Sequence, residues 1–156
     1  MGTARLVFGA VPSTSDGPHV LRSTRISFAG ARRVLDAAVA RATELGTPVC
    51  VEIVDPSGEP VLAARMDGAA LMSSRIAADK AYTVVAFNGR DTEVWVPGLA
   101  SKPEVLEGLN KMPRFCILGG GVGLWSEGEL IGAVGVSGAS VEQDVEVAKA
   151  AAAAVA

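Results

Sequence analysis

Histidine occurs once in this sequence, cysteine twice, and aromatic residues make up only 4% of it. Each scarcity closes off some chemistry. No nucleophile elbow or zinc-ligand spacing is present, and a lone His19 argues against a conventional Ser–His–Asp triad. No metal site is expected. Cys50 and Cys116 both lie in apolar, strand-like runs, which reads as two buried reduced thiols. A disulfide would need facing strands and an oxidising compartment. A basic stripe is missing too: the net charge is −3 and the pI about 5.2. A phosphate-tracking surface needs such a stripe, so nucleic acid is not an expected partner. No apolar run reaches membrane-spanning length. The opening MGTARLVFGAV lacks the basic start, sustained apolar core and cleavage site of a secretory signal. A soluble cytoplasmic protein without a membrane partner is the expectation.

What the sequence has instead is small and apolar. Hydrophobic residues are 49%, charged residues 20%, and 18 of the 156 residues are glycine. That length suits one domain with its own core. The core must be built from Ala, Val, Leu and Ile with close backbone approaches.

Residues 1–25 read as an N-terminal arm and 26–156 as the domain. Pro12 to Pro18 is turn chemistry. Ser27 suits the cap of a first helix, along which Ala31, Val34, Leu35, Ala38, Ala42 and Leu45 recur at helical spacing. Gly46 and Pro48 end it. Val49–Val54 and Pro60–Met66 predict an antiparallel hairpin about Asp55–Gly58. A second helix follows from about Ala70 to Asn88. Glu93–Leu99 reads as an irregular loop, and Pro103 opens a short helix. Arg114–Leu118 predicts a third strand, interrupted by Gly119-Gly120-Gly121. A hairpin around Glu127-Gly128 completes the sheet. Ser140 with Gln143 forms a capping box for the last helix. The order predicts an α+β sandwich: about five mainly antiparallel strands flanked by helices.

The stretch from Arg65 to Phe87 gathers the chemistry. Arg65 ends an apolar strand, where it either caps the sheet or clamps a carboxylate bidentately. Asp67 pairs with it or moves a proton. Lys80 is a candidate general base or anion clamp if burial lowers its pKa. Its alternative is a solvated lysine, or a structural ion pair with Asp67 or Glu142. The Gly119–Gly121 amides could turn toward one anion, though such runs more often mark a bend. Glu142 and Asp144 lie two apart and do not share a helix face. His19 is a candidate haem-iron ligand, with a solvent-facing linker residue as the favoured alternative.

Taken together, VDPSGEPVLAARMDGA, SSRIAADKAYTVVAF, the separate GGG and GELIGAVGVSGASVEQDVEVA resemble the GlcG/HbpS family, also called the haem-degrading or PduO C-terminal-domain family. The likeness runs from about Ser27 to Ala156. Asp55, Gly58, Arg65 to Ala69, Ser73, Lys80, Ala81, Thr83, Thr92, Gly119 to Gly121, Gly132, Gly135 to Gly138, Glu142 and Asp144 match the family pattern. The resemblance implies a sandwich fold, homo-oligomers from dimers to octamers, and a small-molecule ligand. Haem is the cofactor or ligand it suggests, with Ser73, Thr92, Gly119, Gly120, Gly121, Gly123 and Glu142 as binding residues. Departures are a glycine at 123, the approach Phe87-Asn-Gly-Arg-Asp-Thr92, and the long arm. The first two flank the expected cleft and point to a ligand peculiar to this member. The alternative to ligand binding is an enzyme on a small carboxylate or carbonyl compound: a lyase, isomerase or hydratase. There Arg65, Lys80 and Asp67 would be catalytic and the glycine amides would hold an oxyanion. A third reading is a structural assembly module.

Overall fold

The computed structural model describes residues 23–156; the arm with His19 lies outside them. Helix α1, Phe28–Glu44, starts where Ser27 accepts the Gly30 N–H at 3.1 Å. Its buried stripe is Ala31, Val34, Ala38 and Ala42. Strands β1, Cys50–Val54, and β2, Pro60–Arg65, form the expected hairpin. Asp55 organises its turn by accepting the Ser57 N–H at 2.8 Å. Helix α2 spans Leu71–Ala86. Strands β3, Gly121–Ser126, and β4, Glu129–Ser137, form the second hairpin, and α5, Val141–Ala152, closes the chain behind the predicted capping box.

The sheet has four antiparallel strands in the order β2-β1-β4-β3. Alternation along each strand divides the side chains between two faces. Val51, Ile53, Val134 and Val136 enter the main core beneath α1 and α5, together with alanines of both helices. Val54 and Ala133 join Ala81, Val84 and Val85 of α2 on the other face. Small residues set the spacing there. A Cβ on Gly135 would stand 2.0 Å from the Ala77 carbonyl oxygen, so α2 rests directly on the β4 backbone.

The sheet is one strand smaller than expected, because Arg114–Leu118 is not a strand. Its backbone groups bond to α2 instead of to a ladder. The Thr83 hydroxyl donates to the Arg114 carbonyl at 3.0 Å and accepts the Cys116 N–H at 2.8 Å. Arg114 itself takes a left-handed φ of 65°, which breaks an extended path. Cys116 is therefore a half-buried free thiol in irregular chain, while Cys50 is buried in β1. The segment expected as an irregular loop is helical: a 3-10 turn, Thr92–Val94, runs into the short α3, Trp95–Leu99. Helix α4, Pro103–Asn110, follows.

Glu52 is the one charged residue in β1. It lies opposite Ala63 and Gly135, on the α2 side of the sheet. Burial raises its carboxyl above the ordinary 4.5, Arg114 opposes this, and Asp79 adds to it. A carboxyl raised in this way keeps its proton longer in the folded chain than in the unfolded one. Folding stability therefore falls as pH rises from about 4.5 through the raised value, and the loss persists above it. Glu52→Gln should reduce that decline. The check is the thermal midpoint against pH for both proteins; parallel profiles would contradict it.

Candidate functional site

Lys80 projects from the sheet-facing side of α2 and is 1% exposed. Its Nζ donates to the Val136 carbonyl at 2.8 Å and to Asp144 Oδ2 at 2.8 Å. Asp144, in the first turn of α5, also accepts the Ala139 N–H through Oδ1 at 3.0 Å. One nitrogen thus joins α2, β4 and α5. Burial pushes the Asp144 carboxyl up, while Lys80 and the Ala139 N–H pull it down. The lysine's partner is Asp144, not Asp67 or Glu142.

The glycine run passes directly over this pair. A Cβ on Gly120 would meet the Val136 carbonyl oxygen at 2.7 Å and Lys80 Nζ at 3.0 Å. On Gly119 it would meet Val145 at 2.7 Å, and on Gly121 the Lys80 carbonyl oxygen at 2.8 Å. All three residues are buried. The Gly121 N–H donates to Thr92 Oγ1 at 2.9 Å, so the fully buried Thr92 hydroxyl fastens the start of β3. Gly123 lies within β3, not in a loop. Its N–H goes to Asp91 Oδ1 at 3.0 Å, and a Cβ there would strike the Trp125 indole nitrogen at 2.6 Å. Burial raises the Asp91 carboxyl, and the Gly123 N–H opposes the rise.

The other candidates lie elsewhere. Ser73 is buried at the start of α2. Arg65 and Asp67 are exposed and form no ion pair among the described residues. Arg65 pairs with Cys50, which pairs with Ser137; two strand spacings, about 10 Å, separate Arg65 from the β4 end near Lys80. Glu142 is exposed at the first turn of α5, where its own backbone N–H and the Ser140 hydroxyl hold its carboxyl below the ordinary range. Two open hollows, of about 390 and 470 Å³, flank Arg25, Ile26 and Ser27 at the start of α1, and neither is lined by Lys80 or Asp144.

The sequence reading missed two features. Asp144 carried a signal, its place in the motif and in a helix first turn, but not its partner. The second is an aromatic cluster of Phe87, Trp95 and Phe115, with ring centroids 4.6, 5.6 and 5.5 Å apart in edge-to-face arrangement. Its members are spread over segments whose packing the spacing did not reveal.

The fold is thus a four-stranded antiparallel sheet with two helices on one face and one on the other, cross-braced by a buried Lys–Asp pair under a triple glycine. The chain belongs to the HbpS-like family: the family described as haem degrading protein HbpS-like matches residues 26–153. It is similar to the corrinoid adenosyltransferase PduO of Salmonella typhimurium, with 41% identity over 145 residues. That match covers 88% of this chain and 42% of PduO, so the chain spans less than half of that relative. Among solved structures it resembles a PduOC–haem complex at 38% identity and a TM-score of 0.76, covering 85% of this chain and 96% of that one. It also resembles a double mutant of HbpS from Streptomyces reticuli, at 31% identity and a TM-score of 0.79, covering 95% and 99% of the two chains.

Proposed function

We propose that this protein binds a small ligand, and that the ligand is haem or a related tetrapyrrole. The observation that carries the reading is the likeness to a chain solved with haem, at 38% identity over 96% of that chain. The residues present fit such a group in part. The Phe87–Trp95–Phe115 cluster supplies an apolar aromatic surface. Thr92 Oγ1 is engaged by Gly121, and the only histidine in the sequence is His19. His19, the one imidazole in the sequence, would be the residue to hold the iron. When bound, the group would supply iron coordination and its own absorbance; the protein's part is to hold and orient it.

Lys80 then serves the site by position and not by proton transfer. Its nitrogen already serves two acceptors at 2.8 Å, and it fixes Val136 and the path of Gly120. We further propose a homo-oligomeric, cytoplasmic protein. In support of assembly, α2 packs over β1, β4 and β3, and Ala63 and Arg65 of the edge strand β2 remain exposed on that side.

The test is a haemin titration of the full chain followed at the Soret band. A saturable shift is expected, and His19→Ala should move the position of the bound Soret maximum. A bound spectrum identical in His19→Ala and the parent would remove His19 as ligand, and absence of saturation would remove the haem reading.

A further inference from the structure

Between Trp95 and Phe115 the chain makes an excursion that adds nothing to the core. Both feet are tied down. Thr92 is fastened to Gly121, and Arg114 and Cys116 are fastened to Thr83. Within the excursion, none of residues 96–114 is buried, and α4 buries no residue at all. Val96, Val105 and Met112 are 54%, 40% and 58% exposed. An amphipathic helix normally gains its stability by packing its apolar side; α4 has little such packing.

At the first foot of this excursion stands Trp95. It is 6% exposed, and its Nε1 is a buried donor with no hydrogen-bond partner among the described residues. Buried donors are nearly always paired, because leaving one unpaired costs free energy. Arg90 places its guanidinium 5.2 Å from the Trp95 ring centroid. It forms no ion pair among the described residues. An unpaired N–H, a cation without an ion-pair partner and three edge-to-face rings thus meet at the base of a segment none of whose residues is buried.

We propose that the 96–114 excursion is the cover of a binding site for a flat conjugated carboxylate. The ring system packs against Phe87, Trp95 and Phe115. One carboxylate oxygen accepts the Trp95 Nε1–H, and Arg90 balances the charge. A neutral carbonyl would satisfy the indole but leave Arg90 without a counter-ion, so the anion is the better match. The inference rests on the small-ligand reading above but not on haem or on His19.

Isothermal titration of the full chain with naphthoate tests it, with haemin titrated in parallel. Saturable naphthoate binding is expected. Trp95→Phe, which keeps a ring and removes the N–H, should weaken binding about tenfold, and Arg90→Gln by a similar factor. Thermal melts should show both variants folded, with Trp95→Phe below the parent because the smaller ring leaves space in the cluster. Trp125→Phe, at a 42% exposed position outside the cluster, should bind as the parent does. Equal affinity in Trp95→Phe, or no saturable heat with the parent, overturns the assignment. Haemin binding without naphthoate binding overturns it while leaving the haem reading standing; naphthoate binding without haemin does the reverse.

Discussion

Lys80→Ala is expected to lower the unfolding free energy by about 3–5 kcal/mol. The substitution leaves Asp144, with a side chain only 4% exposed, as a buried carboxylate without its cation. It also removes the bond to the Val136 carbonyl and opens space beneath Gly120. Asp144→Ala should cost a similar amount for the mirror-image reason. Replacing both members with apolar residues of similar volume, as Lys80→Met with Asp144→Leu, should recover most of the loss, because no buried charge is then left alone. Urea denaturation of the four proteins measures this. A Lys80→Ala loss below about 1 kcal/mol, the range of exposed pairs, would contradict the structural role given to the pair.

Gly135→Ala is the second large effect. The added methyl would fall 2.0 Å from the Ala77 carbonyl oxygen and 2.8 Å from the Ala81 nitrogen. Both are backbone atoms of α2, so no side chain can rotate aside. The helix must lift from β4, disturbing Lys80 and the packing of Ala81 and Val84. Destabilisation of about 3 kcal/mol or more is expected, at the upper end of overpacking effects, and loss of soluble protein would agree with it. Gly128→Ala is the comparison. There φ is +81° and a Cβ would have nothing within 4 Å, so only backbone strain of about 1 kcal/mol applies. Equal costs at the two positions, read from thermal midpoints, would remove the steric argument.

Features set by neighbouring residues were legible before any coordinates. Ser27, Gly46, the Asp55 turn and the Ser140–Gln143 box act within a few residues, and each stands where its chemistry suggests. The third strand failed for a reason of the same kind turned around. Phe115 to Leu118 is apolar enough for a strand, but the backbone of Arg114 and Cys116 is claimed by the Thr83 hydroxyl, 31 and 33 residues away. Such competition depends on which elements pack together, and spacing does not report it. Lys80 shows the same limit: its importance was visible, while its partner lies 64 residues along the chain. Trp95 was hidden in a Pro- and Gly-containing stretch that reads as loop, although it anchors the aromatic cluster. The family motif, by contrast, was legible across the whole domain, because its separated pieces keep their order.

The ligand-binding claim is tested most directly by one absorbance spectrum. The full chain is equilibrated with one equivalent of haemin, passed through a gel-filtration column, and its protein peak is scanned from the near ultraviolet through the visible. The account predicts a Soret band that travels with the protein and differs from that of free haemin. A protein peak without that band, with haemin retained separately, would contradict it.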